Sequence, residues 1–209
     1  MADRARMRRR QLLLGTVAVL LAREALAQGR VQAGVRRVRG EAAINGKPAK
    51  EGMPVRPGDR VTTGANAEIV FALERDAMLV RQNSALELVK SGFRLAAGAV
   101  LSVFAPGERK ELRTPTSTIG IRGTAVYLEA EAKRTYACTC YGEAVLEPVD
   151  DPAARETVRT ARHEQPRYIY ARGAPRMVEP APMVNHADAE LELLEALVGR
   201  KPPFTGRRY

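Results

Sequence analysis

The stretch TPTSTIGIRGTAVYLEAEAKRTYACTCYGEAVL, Thr114 to Leu146, reads as three short strands joined by turns. Its middle carries Ile119-Gly-Ile-Arg-Gly-Thr124, and its end carries both cysteines of the chain, Cys138 and Cys140. Strand side chains alternate between faces. Tyr136, Cys138 and Cys140 are therefore expected on one face, with Ala137, Thr139 and Tyr141 on the other.

Upstream the texture is the same. From Gly40 onward, short apolar runs recur between turn residues, which is an all-β pattern. Asn45-Gly46 is a hairpin dipeptide, and Pro57-Gly58-Asp59 marks a second turn. Ile69, Phe71 and Leu73 share one face of an alternating run. Leu86 to Val89, Ala99 to Phe104 and Lys110 to Thr114 continue the series. No segment between Gly40 and Leu146 has helical periodicity. The expected fold is all-β, with many short strands in a sandwich, a jelly roll or a solenoid-like coil.

Downstream, Glu147 to Glu156 reads as an acidic loop, and residues 173–209 as a Pro-rich connection, a helix and a basic tail. The helix is expected over 186–198. Asn185 would cap it, Asp188 would be its third residue, and Gly199 would close it. Leu191, Leu194, Leu197 and Val198 fall on one side, suited to docking on the β-domain.

The 209 residues carry 34 Lys and Arg against 24 Asp and Glu, a net charge of +10. Residues 1–27 hold six of those Arg against Asp3 and Glu24, a net of +4, which leaves +6 on the rest. Those remaining charges are dispersed and not interleaved with aromatics, so nucleic-acid binding is not expected.

Residues 1–27 have the three parts of a secretory signal. Arg4 to Arg10 form a basic lead. The apolar run Leu12 to Ala22 is eleven residues long, against about 20 needed to span a bilayer. Ala25-Leu26-Ala27 is a small-x-small cleavage site. Arg8-Arg9-Arg10-Gln11-Leu12-Leu13 also resembles a bacterial twin-arginine signal, and general secretory export is the alternative. A periplasmic or secreted protein with no stable membrane span after cleavage is expected. Residues 28–39 read as a basic lead-in and 40–172 as the β-domain.

Gly40 to Ala49, Pro57 to Gly64, Ala67 to Leu73, Leu95 to Leu101 and Thr114 to Thr124 together resemble the FecR family domain. The resemblance covers about half of the chain and keeps its order. It implies a β-rich periplasmic module that works in signalling or scaffolding by binding an envelope protein. The turn after Leu73 departs from the family's Asp-Gly and reads Glu74-Arg75-Asp76-Ala77. The family's named regulators place a sigma-binding segment and a membrane helix before this domain. A 27-residue signal leaves no room for them, so a stand-alone exported FecR-like protein is expected.

The family motif has a structural reading. Gly120 and Gly123 permit close approach or positive φ, Thr124 can satisfy a backbone group, and Arg122 can cap a carbonyl row or pair with an acid. No catalytic role is assigned to it. The chain shows no nucleophile motif, phosphate loop or paired carboxylates, so it is not expected to be an enzyme.

The soft metal ligands are few: Cys138, Cys140, His163 and His186. Together they make a Cys₂His₂ set suited to a zinc or copper ion. A disulfide is not expected, because Cα atoms two apart on a strand lie about 6.5–7 Å from each other, at the edge of bridging geometry. His186 at a helix start would be kept neutral by the dipole. The alternative is that the thiols are small buried hydrophobes and His163 a solvated loop residue. Two functions therefore stand open: protein-binding signalling, and metal- or redox-responsive binding.

Overall fold

The computed structural model describes residues 33–206, and the export signal read over 1–27 lies outside them. In chain order the strands are β1 (Gly34–Arg39), β2 (Ala42–Ile44), β3 (Lys47–Pro48), β4 (Arg60–Thr63), β5 (Glu68–Leu73), β6 (Asp76–Val80), β7 (Ala85–Val89) and β8 (Gly92–Val103). They continue with β9 (Arg109–Arg113), β10 (Ser117–Arg122), β11 (Ala125–Ala130), β12 (Arg134–Pro148), β13 (Glu156–Thr160), β14 (Arg167–Tyr170) and β15 (Val178–Pro180). One α-helix, α1 (Asp188–Leu197), follows. The described chain is therefore all-β with a single helix.

Two long strands organise the sheets. Residues Gly92 to Ala97 of β8 pair with β7, and Gly92 to Arg94 also run parallel to β9. Beyond Gly98, β8 pairs instead with β11 and β6. In the same way, residues up to Tyr141 of β12 pair with β11, and its first turn of residues also with β14. From Gly142 it pairs with β13, and from Ala144 with β10. Since β10 also pairs with β9, the ring β8–β9–β10–β12–β11 closes into a barrel with no free edge of its own. The remaining strands extend outward from β8 and β12.

Each long strand turns its corner at a glycine. Gly98 has φ +82°, and a Cβ there would lie 2.2 Å from Ser84 Oγ and 2.5 Å from its Cα. Gly142 has φ +94°, and a Cβ would lie 2.9 Å from Thr124 Oγ1. Both positions need a left-handed backbone and closest approach, which only glycine combines.

The barrel interior and its flanks are filled by aliphatic residues and two stacked rings, Phe93 and Phe104, 6.4 Å apart. The Asn45-Gly46 turn forms as read, with φ +52° and +77°, and joins β2 to β3. A second buried layer lies outside the barrel. Leu79 on β6 and Leu101 on β8 are fully buried outside the main core cluster, and α1 packs on those two strands through Leu191 and Leu194. Alternation is also lost in β5, where Ile69, Val70, Phe71 and Ala72 are all buried.

Several expectations need correction. Gly34–Arg39, read as a lead-in, is a strand paired with β5. β12 is fifteen residues long because its corner at Gly142 lets one strand serve both sheets. β15 forms within the Pro-rich connection and pairs with β14. The helix begins at Asp188, not His186. Glu190 accepts the Ala187 N–H at 3.0 Å, so Ala187 is the cap residue and Asp188 the first helical one. Leu197 is only half-buried, whereas Glu195 is buried. Within the basic tail, the Phe204 ring is buried against Tyr141.

Within Ile119 to Thr124, Thr124 is buried and donates to the Glu143 carbonyl at 3.0 Å. Gly123 has φ +61°, and a Cβ there would meet Pro106 Cα at 2.7 Å. Gly120 does not behave as read: a Cβ there would meet open space. Arg122 is exposed, opposite Arg109 of β9.

Candidate metal centre

The site lies on the outer face of β12, beneath the C-terminal segment. Three pieces of backbone meet there. β12 contributes Cys138 and Cys140. Its register against β11 jumps from Val126↔Thr139 to Ala125↔Tyr141, leaving Cys140 as the extra residue of a bulge. A bulge breaks strict alternation, and Tyr141 consequently does not lie on the opposite face. Its hydroxyl reaches Glu195 of α1, so it faces the C-terminal segment as the cysteines do.

The loop after β13 contributes His163. Its φ is +59°, and its N–H donates to the Cys140 carbonyl at 3.0 Å. This left-handed residue turns the loop back onto β12. The segment before α1 contributes His186, which follows Asn185 at φ +58°. Its ring stacks on Tyr127 with centroids 4.5 Å apart. His186 thus lies two residues before the helix rather than opening it.

All four residues are buried, and their ligand atoms lie within 4.8 Å of one another. His163 Nδ1 is 3.5 Å from Cys138 Sγ and 3.0 Å from His186 Nε2. Tetrahedral zinc bonds of about 2.3 Å to sulfur and 2.0–2.1 Å to nitrogen imply ligand separations of about 3.3–3.8 Å. Cys140 Sγ is turned toward the Cys138 carbonyl at 3.7 Å.

The hydrogen bonds assign the imidazoles. His163 Nε2 lies 3.0 Å from Asp188 Oδ1, and His186 Nδ1 lies 2.6 Å from the Val184 carbonyl. Both partners only accept, so those nitrogens carry the protons. In the neutral rings the remaining nitrogens are lone pairs, and they point at each other. Two facing acceptors require a proton or a cation between them. An outer ring nitrogen bonded to a carboxylate or a backbone carbonyl is also the usual support of a metal-bound histidine. Asp188 is in turn bonded to Arg162, and that bond and His163 hold its carboxyl below the ordinary range although burial opposes them.

The thiols split. The Cys140 thiol, followed by His163 and His186, holds Cys138 well below the ordinary thiol range against its burial. Burial, then the charge on Cys138, pushes Cys140 up. Burial alone would lower the His163 pKa, but Cys138 and Asp188 reverse this and the net shift is upward.

Cys138, His163 and Asp188 also stand in the order nucleophile, base and orienting acid. Cys138 is fully buried beneath the C-terminal segment, however. Both thiols are free. Sequence reasoning missed Asp188 as the support of His163, Tyr127 as the platform of His186, and the pair Tyr141–Glu195. Nothing local marks them, because each partner lies on another element.

No protein-family model and no curated protein sequence matches the chain. Two crystal structures of a candidate anti-sigma factor from Parabacteroides distasonis are similar in fold, with TM-scores of 0.49 and 0.48 at 7% identity. Each likeness covers 65% of this chain and 64% of the other, so it spans less than two thirds of that protein.

Proposed function

We propose that this protein is an exported, non-catalytic FecR-like module that binds one divalent transition-metal ion through Cys138, Cys140, His163 and His186. The observation that carries this reading is the convergence of four buried ligand atoms within 4.8 Å, drawn from three separate segments. Charge chooses the ion. Two thiolates and two neutral imidazoles around M²⁺ form a neutral unit, whereas monovalent copper would leave a net negative charge buried, which is costly. Sulfur and nitrogen ligands at tetrahedral spacing favour zinc. Four protein ligands also fill a tetrahedral shell, which is the pattern of a structural or sensing site rather than a catalytic one.

The FecR resemblance supplies the setting, periplasmic signalling through an envelope protein partner. Among the described residues no helix is long and apolar enough to cross a membrane. Elemental analysis of protein purified without chelator tests the metal reading. One mole of zinc per mole is expected, and Co²⁺ substitution should give the intense visible bands of a tetrahedral thiolate site. Metal-free protein whose two thiols react equally fast with and without added Zn²⁺ would sink it.

A further inference from the structure

The three segments that carry the ligands are not equally anchored. Cys138 and Cys140 belong to β12, a strand of the closed barrel. His163 sits on a loop and His186 on the lead into α1. That C-terminal cap, residues 182–206, lies on the outer face of β6, β8, β11 and β12. Its apolar anchors are Leu191, Leu194, Val198 and Phe204.

Its other ties are polar. Arg81 bonds Glu190 at 2.7 Å and the Asn185 carbonyl at 3.1 Å, and Asn185 Nδ2 donates to Glu129 at 2.7 Å. Tyr136 bonds the backbone at Pro182 and Val184. Arg200 donates to the Arg75 carbonyl at 2.5 Å, and the Tyr141 hydroxyl donates to buried Glu195. The side chains of Arg81 and Glu190 are about a quarter exposed, and accessible ion pairs contribute little. A four-ligand structural ion, by contrast, supplies folding free energy outright.

The same centre works against closure when it lacks an ion. Closing the cap then buries two thiols and two imidazoles against one another, with the facing ring nitrogens of His163 and His186 only 3.0 Å apart. Opening it returns His186, and with it Asp188, to water. The sign of the coupling follows: the ion favours the closed cap, and its loss favours the open one.

Resting on the metal-binding reading above, we infer that the ion is the lock of the C-terminal cap: its occupancy decides whether α1 is seated on the β6–β8 face. Opening would uncover Leu79 and Leu101 on the sheet and Leu191 and Leu194 on the helix, while the barrel stays closed.

Hydrogen exchange on the full chain tests this, comparing zinc-loaded protein with protein stripped by chelator under reducing conditions. Linkage predicts that at free Zn²⁺ about a thousand times Kd, amides of residues 186–198 exchange up to about a thousandfold more slowly than in stripped protein. Amides of β10 and the first half of β8 should be unchanged. Zinc bound at one per chain with no change over 186–198 would overturn the lock and leave the metal site standing. Equal loss of protection in barrel and cap would also overturn it, since the ion would then hold the whole domain. No zinc binding at all would remove both readings. A His186→Ala variant gives a second arm: its cap should stay as exchangeable as in the stripped protein whether or not Zn²⁺ is added, and zinc-dependent protection in that variant would count against the lock.

Discussion

The molecule has two buried layers that share strands but differ in chemistry. Inside the barrel, Phe93, Val100, Leu112, Ile119, Leu128 and Leu146 pack with nothing to titrate among them. Outside it, under α1, the same strands present Tyr127, Cys138, Cys140 and Tyr141, met by His163, His186 and Glu195. The inner layer gains stability from apolar area removed from water, independently of pH or metal. The outer layer buries polar groups that are stable only when paired. A fold can thus carry a constitutive core and a conditional one back to back, separated by a single sheet.

The sharpest way to break the contrast is at a corner of the barrel. Gly98→Val places a β-branched residue at φ +82° and drives its Cβ into Ser84. A loss above about 4 kcal/mol is expected from strain and overpacking, seen as a lower urea midpoint by both fluorescence and circular dichroism. A small loss would mean that the strand can turn without a left-handed residue.

Leu194→Ala removes a fully buried anchor of the outer layer. A loss of about 2–5 kcal/mol is typical of such a truncation, and here it should fall on the cap. Exchange protection over α1 should drop in zinc-loaded protein while the barrel's urea midpoint holds. A matching drop in the barrel would show that the layers are one cooperative unit.

Acid separates the layers without mutation. Metal binding needs both thiolates and neutral imidazoles. The raised His163 and Cys140 and the lowered Cys138 define the window. Below the raised His163 pKa and above the lowered Cys138 pKa, binding must expel two protons, one from His163 and one from Cys140. Zinc affinity should therefore fall about a hundredfold per pH unit there, measured by chelator competition. A tenfold fall per unit would mean that one of the two is not a ligand, and a flat profile that neither is.

Asp188→Asn keeps the shape of the support but weakens its acceptor. Zinc affinity should drop about 10–100-fold, as for other such supports, with barrel stability unchanged. An unaltered affinity would make Asp188 a partner of Arg162 alone.

Arg122→Ala should change stability by less than about 0.5 kcal/mol, as expected at an exposed strand position. A larger loss in thermal unfolding would give this motif residue a structural role that its surroundings do not show.

Much of the inner layer was legible because its signals are local. Turn residues such as Asn45-Gly46 and alternating apolar runs report strand and face directly. Gly123 and Thr124 could be read as architecture for the same reason. Gly120 was misread because a glycine in sequence does not say whether anything approaches it. Helix α1 was placed to within two residues, but its start moved because Glu190 caps Ala187, and a capping contact is not visible in composition. Gly34–Arg39 escaped notice because its partner, β5, is some thirty residues away.

By itself, the sequence determined an all-β chain with one helix and a set of four soft ligands. Periodicity and residue chemistry are properties of the chain, so they can be read from it. Only the tertiary structure decided that β8 and β12 turn at glycines to close a barrel. It also decided that β12, the loop after β13 and the lead into α1 meet at one point. Those outcomes depend on pairings between residues far apart in sequence, which no local pattern encodes.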